Sequence, residues 1–350
     1  MDRYCIGIDV SKDSLAVCLA CMSLDREIKY LQSRSFSNTT SGFKQILKWL
    51  KTKDIDAPLF VMEVTGVYYE NLAYFLDEHD CSVSVLLPSK VNAYAKSLNW
   101  KSKTDRIDAK VLATLGLERK LPVWQVPDED LRVVKQLTRE RQELIKQRTR
   151  INNQLHSKKA AYRPTKAALS RAKKSIRLIN KHIDHIEQEL EEIISQNNGL
   201  KQLVDRLTTI KGLGFLSVVT ILGETNGFAL FENRKQLTSY AGYDVVEKES
   251  GTSVKAKTKI SKRGNKHIRR ALQYPALTAK IHDPKLKAFY ERLYQKSGVK
   301  MLGVVAVQRK LLLLMYSLYK TGQTYQSNRK TAINSHLSLD RDKSLPSFEL

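Results

Sequence analysis

The 350-residue chain is poor in several things that would each have named a class. Its four cysteines are too few for a disulfide framework and agree with a reducing compartment. Cys18 and Cys21 form a C-x-x-C without a second such pair, inside the strand-like run "SLAVCLACM". Residues three apart on a strand point to opposite faces, so these read as buried thiols rather than as a metal or redox pair. No apolar run approaches the ~18–20 residues of a membrane span. The opening "MDRYCIGIDVSKDSLAV" enters strand-like sequence at once, without the layout of a signal peptide. A cytoplasmic protein with no membrane partner is the expectation.

Acidic residues are scarce and unevenly spread. There are 36 Asp and Glu against 60 Lys and Arg, a net charge of +24. Residues 144–183 hold twelve Lys or Arg and no acid, and residues 250–282 hold no acid either. Such an excess favours polyanionic phosphate partners.

Three regions and a tail follow from patterning. Residues 1–127 read as α/β. "RYCIGIDV", "SLAVCLACM" and "EIKYLQSRSF" are close-set β-rich runs, as in an antiparallel meander. "PLFVMEV" and "SVSVLLP" are separated by the helical patterns "TSGFKQILKWLKT" and "YYENLAYFLDEH", as in parallel crossovers. A mixed sheet flanked by helices is expected. Residues 128–198 carry apolar seams at 3–4 spacing: Val134, Leu137, Leu144, Ile151 and Leu155, with Arg141 and Arg148 between them. Ile176, Ile179, Ile183, Ile186, Leu190 and Ile193 make the second seam. Pro164 interrupts, so the reading is a long antiparallel coiled-coil hairpin. Its acid-free tip, with Lys158, Lys159 and Arg163, suits a phosphate-contacting arm; an oligomerisation coil is the other reading. Residues 199–322 read as mainly helical. In "TTIKGLGFLSVV", Lys211, Gly212 and Gly214 suggest a helix-hairpin-helix whose turn offers N–H groups to phosphate. "YDVVEKESGTSVKAKTKI" is a hairpin or a loop, followed by a helix starting near Gly264; a further helix at about 300–320 is apolar on most sides, as a core helix is. Residues 323–350 read as a loose tail.

Four acids sit where chemistry is expected. Asp9 ends a strand that is apolar on both faces, and Glu63 closes another apolar run. Open α/β sheets bind ligands at the carboxyl ends of their strands, so the two acids are expected to meet there. Asp105 and Asp108, three apart on a predicted helix, share a face continued by Leu112 and Leu115. Converging carboxylates repel one another unless a divalent metal joins them. Mg²⁺ prefers such oxygen ligands, and two ions can clamp the attacking and leaving oxygens of a phosphodiester. Each acid also has a plain role open to it, as a turn cap, a lysine partner or a helix N-terminal acid.

Together "GIDVSKDSLAV", "VMEVTGVYYENL", "KTDRIDAKVLA" and "ESGTSVKAKTKISKRGNKHIRRAL" resemble the DEDD transposases of bacterial insertion sequences, relatives of the Piv and MooV DNA invertases. The resemblance spans roughly residues 3–320. It implies a RuvC-like, ribonuclease-H-type first domain, a coiled-coil insertion and a C-terminal transposase domain. It makes Asp9, Glu63, Asp105 and Asp108 the catalytic metal ligands, for Mg²⁺ with Mn²⁺ as substitute, and Ser250 the nucleophile. It also implies donor and target DNA as partners and, in some members, a noncoding RNA encoded by the element. Ser250 would form a 5′-phosphoserine link, in a composite site with the carboxylates. A paired reaction needs two serines, hence an expected homodimer or homotetramer.

A serine hydroxyl needs activation. Lys255, Lys257, Lys259, Lys262 and Arg263, then Lys266 and Arg269, can hold a phosphate and offset its charge. A hairpin-turn serine remains the plain reading, and Ser253, Ser261, Tyr240 and Tyr243 are lesser candidates for nucleophile. Three rivals stand: a Holliday-junction-type metal nuclease that uses water, a basic non-enzymatic nucleic-acid-binding protein, and an actin-like ATPase. The last lacks a Walker-type loop and has no place for Asp105 and Asp108.

Overall fold

The fold is taken from a computed structural model. It describes residues 3–326 apart from 54, 56, 65, 101, 103, 247–248, 251–253 and 256–258, with backbone alone for 249–250 and 254–255. The chain divides into two compact units, Met1–Val126 and Pro127–Leu350.

The first unit runs β1 (Arg3–Val10), β2 (Ser14–Met22), β3 (Ile28–Ser37), α1 (Thr40–Lys51), β4 (Leu59–Glu63), α2 (Glu70–Asp77), β5 (Val83–Leu86), α3 (Pro88–Ser97) and α4 (Asp105–Glu118). The sheet order is β3-β2-β1-β4-β5. Short connections make β1, β2 and β3 antiparallel, whereas the helical crossovers make β4 parallel to β1 and β5 parallel to β4. β1 is central, and its alternation feeds two cores. Ile6, Ile8 and Val10 pack with Phe60, Met62, Phe43, Ile46 and Leu72. Cys5 packs on the opposite face with Val61 and with Ala109, Leu112 and Ala113 of α4. Cys18 and Cys21 are buried and free. Burial pushes the Cys5 thiol up to about 12 and raises that of Cys18 as well.

The second unit runs α5 (Glu129–Ala160), α6 (Lys166–Gln196), α7 (Asn198–Thr208), α8 (Phe215–Thr225), α9 (Arg234–Ala241), β6 (Val245–Val246), β7 (Glu249–Ser250), β8 (Val254–Lys255), β9 (Lys259–Ile260), α10 (Lys266–Ala271), α11 (Gln273–His282), α12 (Pro284–Ser297) and α13 (Lys300–Thr321). α5 and α6 form an antiparallel helical hairpin. Arg141 bonds Glu187, and Arg148 bonds Asn180 at 3.0 Å, so each step along α5 is matched by a reverse step along α6. The expected seam residues Ile179, Ile183, Ile186 and Leu190 are buried, but Ile194 rather than Ile193 takes the last inward position. Position 194 continues the i, i+4 row of 186 and 190, and Ile193 is half-buried beside it.

The sequence reading separated the hairpin from the helical region after residue 198. In the structure Leu131, Val134, Leu137, Ile186, Leu190 and Ile194, at the hairpin base, share one core with Val204, Leu222, Val307 and Leu311. α13 also revises the reading of apolar runs. Its length and composition would allow it to cross a membrane, although Arg309 and Lys310 interrupt it. In the structure it is a core helix, with Val304, Val307, Leu311, Leu312 and Met315 buried.

Candidate functional site

The strand register brings two of the four acids together. β1 pairs with β4 from Cys5↔Leu59 to Ile8↔Met62, so Asp9 and Glu63 are the next residues on adjacent parallel strands. Both lie on the face that carries Cys5, Gly7 and Val61, because residues two apart on a strand share a face. Both are half-buried.

α4 covers that same face. A β-carbon on Gly7 would stand 2.0 Å from the Ala109 carbonyl oxygen and 2.4 Å from the Ala113 nitrogen, and one on Gly116 would meet Cys5 Sγ at 2.3 Å. Residues 109, 113 and 116 thus descend β1 from Gly7 toward Cys5, antiparallel to the strand. The preceding turn of α4, with Asp105 and Asp108, is carried past Gly7 toward the Asp9 end. Thr104 caps the helix by accepting from Ile107 N at 3.3 Å, which fixes where that first turn begins. Asp108 is half-buried and Asp105 exposed. Among the described residues no three His, Cys, Asp or Glu side chains already stand as a metal-holding group. The donor chemistry, carboxylate oxygen throughout, fits a hard divalent cation such as Mg²⁺.

Ser250 lies on a β-ribbon in the second unit. The ribbon consists of two separate antiparallel pairs, Val245↔Ile260 with Val246↔Lys259 and Glu249↔Lys255 with Ser250↔Val254. The hairpin alternative is therefore the one adopted, with Ser250 on the innermost described rung. Nothing is described of the side chains of Ser250 and Lys255, and Gly251, Ser253 and Lys257 lie outside the described residues. The ribbon base is tied by Lys262 N to Gly242 O at 3.1 Å and Asn265 N to Tyr240 O at 2.7 Å. Gly264 makes this closure possible: its φ is +157°, and a β-carbon would stand 2.5 Å from Tyr240 O. Ser261 N donates to Asp244 O at 2.7 Å, closing the same base from within.

The two tyrosine candidates are turned inward. Tyr243 is buried and donates its hydroxyl to Gln308, while the Tyr240 hydroxyl donates to the Glu224 carbonyl at 3.0 Å. Burial raises both phenols above their ordinary range.

The expected phosphate-binding residues divide. Lys158, Lys159, Arg163, Lys211, Lys259, Lys262, Arg263 and Lys266 are exposed. Arg163 lies over the Tyr162 ring at 5.1 Å, at the hairpin tip. Arg269 is instead half-buried and donates to the Ala241 carbonyl at 2.7 Å, so its guanidinium braces the ribbon base. Gly212, at φ +94°, is closely packed: a β-carbon would meet Pro275 O at 2.7 Å. Gly214 caps α8 beside an open cleft of about 300 Å³, which Glu187 and Glu191 also line. Carboxylates at a helix N-terminus compete with phosphate for its N–H groups.

Sequence reasoning missed a buried polar junction beneath the ribbon. Glu224 of α8 is fully buried; Arg139 of α5 donates to both its oxygens, at 2.6 and 2.8 Å, and Asn265 Nδ2 donates at 2.7 Å. Burial alone would raise this carboxyl, but the bonds and charge of Arg139, helped by Asn265, outweigh it and hold the carboxyl below the usual glutamate value. His267 bonds Gln142 of α5, and burial lowers its imidazole despite the opposing pull of Glu224. The one signal in the sequence was an acid closing the apolar run "FLSVVTILGET".

With this geometry in view, comparison with known proteins locates the chain. Residues 6–164 match the transposase model for the DEDD proteins of IS110, and residues 204–291 match the model described as "Transposase IS116/IS110/IS902 family". The two matches together take in well over half of the chain. The pilin gene-inverting protein of Moraxella bovis is 28% identical over 337 residues, covering 93% of this chain and 98% of that protein. The transposase for insertion sequence element IS1111A of Coxiella burnetii is 22% identical over 356 residues, covering 93% and 92%. Among solved structures, Thermus thermophilus RuvC in complex with a Holliday junction substrate matches 33% of this chain and 94% of its own, at 13% identity. Its TM-score of 0.26 is too low to build on. The chain belongs to the IS116/IS110/IS902 family of transposases, enzymes of DNA recombination.

Proposed function

We propose that this transposase cuts and rejoins DNA through a covalent serine intermediate, with Asp9, Glu63, Asp105 and Asp108 as the metal-binding carboxylates and Ser250 as the nucleophile. The observation that carries the reading is the β1–β4 register, which sets Asp9 beside Glu63 at the carboxyl ends of parallel strands under the first turn of α4. Mg²⁺ held there, as one ion or two, supplies Lewis-acid stabilisation of charge on the reacting phosphate. The Ser250 hydroxyl gives up its proton and attacks phosphorus. The Oγ–P bond forms, the P–O3′ bond breaks, and the leaving 3′ oxygen takes a proton. The products are a 5′-phosphoserine and a free 3′-hydroxyl. The phosphoester count is unchanged, so attack by another 3′-hydroxyl rejoins strands without an external energy source. The basic residues of the ribbon and its flank, Lys255, Lys257, Lys259, Lys262 and Arg263, neutralise phosphate during the exchange.

The enzyme acts in the bacterial cytoplasm on donor and target DNA, as a dimer or tetramer that brings two serines to two strands. The acid-free hairpin tip, with Lys158, Lys159 and Arg163, grips a nucleic acid, either the DNA itself or an RNA from the element that selects the DNA partners.

The experiment is an adduct assay on DNA labelled 3′ to the scissile phosphate, with Mg²⁺, separated under denaturing conditions. Wild-type protein is expected to carry label. Ser250→Ala and Asp9→Asn should lose it while DNA binding stays within about twofold. Adducts that persist in Ser250→Ala would remove this serine from the role. Nicked product with no adduct in the wild type would favour the hydrolytic nuclease.

A further inference from the structure

The two acid-free stretches of the sequence, residues 144–183 and 250–282, meet in the folded second unit. They meet at an open cleft of about 440 Å³ between α5 and α10, lined by Lys146, Thr149, Arg150, Asn153, Gln154 and Arg270. The first five lie at i, i+3, i+4, i+7 and i+8 of one helix and so form a single face about 12 Å long at ~1.5 Å per residue. Arg270 faces them from α10. Glu143, just before the cleft on α5, pairs with Lys146 at the surface and is close enough to Lys266 and Arg270 to feel their charge. An exposed pair of this kind yields readily to a phosphate, because it is worth little in water.

We propose that this cleft is a binding site for the sugar-phosphate backbone of a nucleic-acid strand. The inference rests on the nucleic-acid-processing function proposed above and adds a grip that the ribbon and the hairpin tip do not supply. The cations present two geometries suited to phosphate oxygens, the forked guanidiniums of Arg150 and Arg270 and the point charge of Lys146. Asn153 and Gln154 add amide groups that bond sugar or phosphate oxygen without demanding a particular base. A face of about 12 Å follows three to four nucleotide steps along one strand of a duplex, at ~3.4 Å each.

The walls are also held at a fixed separation. Glu224 joins Arg139 of α5 to Asn265 at the start of α10, and Gln142 of α5 bonds His267 one turn before Arg270. The cations thus meet a strand without first having to be assembled, which lowers the ordering cost of binding. α10 follows directly on the ribbon in the chain, so the cleft is built on the element next to the one that bears Ser250.

The test replaces Arg150 and Arg270 together by Gln in the full chain. Binding is read by fluorescence anisotropy with a 40-base-pair DNA duplex and, in a second arm, a single-stranded RNA of equal length, over a range of salt concentrations. A control of equal charge loss, Lys44→Gln with Lys48→Gln, alters exposed lysines of α1 in the first unit. The cleft variant is expected to lose about tenfold or more in affinity and about two units in the slope of log K against log salt for the duplex, at ~0.9 per phosphate contact. The control should keep the wild-type slope. An effect in the DNA arm or the RNA arm alone identifies which strand occupies the cleft. Equal losses in cleft variant and control, or no loss in either arm, would overturn the proposal. Binding is read without strand chemistry. A wild-type protein that binds but forms no adduct would therefore count against the serine mechanism and leave the cleft standing.

Discussion

Gly7 is the residue on which the proposed acidic site depends most directly. Helix α4 crosses β1 so closely that a single methyl group there would strike two backbone atoms, the Ala109 oxygen and the Ala113 nitrogen. Backbone cannot rotate aside as a flexible side chain can, so α4 must lift or tilt. Gly7→Ala is expected to destabilise the first unit by about 3 kcal/mol, at the upper end of ordinary overpacking. Because Asp105 and Asp108 ride on the first turn of that helix, DNA adduct formation should fall more than tenfold while DNA binding is kept. Urea unfolding followed by tryptophan fluorescence reads the first effect, since all three tryptophans belong to this unit. A variant with wild-type stability and chemistry would show that α4 has room to adjust. The sequence singles out the four acids as candidates, since Asp9 and Glu63 each end an apolar run and Asp105 and Asp108 share a helix face. The need for glycine at position 7 is not legible there. It arises from a helix a hundred residues downstream, and "RYCIGIDV" holds no local sign of it.

At the scale of elements, hydrophobic period carried most of the reading. The five strands of the first sheet and the two long helices of the second unit follow from alternation and 3–4 spacing. What the period could not reveal is the junction where α5, α8 and α10 exchange polar contacts, because Arg139, Glu224 and Asn265 are 85 and 41 residues apart. The junction makes the second unit sensitive to acid. Glu224 and His267 both have folded-state values below their ordinary ones, so the unfolded chain binds more protons between the two values and stability rises with pH there. The His267 contribution is complete above about 6.5 and is lost as pH falls below it; that of Glu224 is complete above about 4.5 and is lost below. Urea midpoints measured from pH 8 to pH 3 should therefore decline in two stages, and His267→Gln should remove the upper one. Arg139→Met, which strands a buried carboxylate, is expected to cost about 3 kcal/mol at neutral pH, and less as acid protonates Glu224. A cost that does not vary with pH would mean that Arg139 acts through packing alone.

For the molecule as a whole, charge and core follow different divisions. The sequence suggested a boundary after the hairpin because composition changes there, yet the hairpin base and the helices after residue 198 bury a common core. Composition reports what faces solvent, whereas a compact unit is defined by what is buried. The exposed cations of the hairpin tip, the ribbon flank and the α5–α10 cleft are together far more numerous than a single phosphate contact could use. If only about six engage a duplex, log K should fall against log salt with a slope of about −5, a loss of about a thousandfold between ~50 and ~200 mM salt. Anisotropy titrations of the full chain at four or five salt concentrations measure that slope. A slope near −1, with affinity kept at high salt, would mean that the chain holds DNA through few phosphates, and that its basic excess serves some other surface.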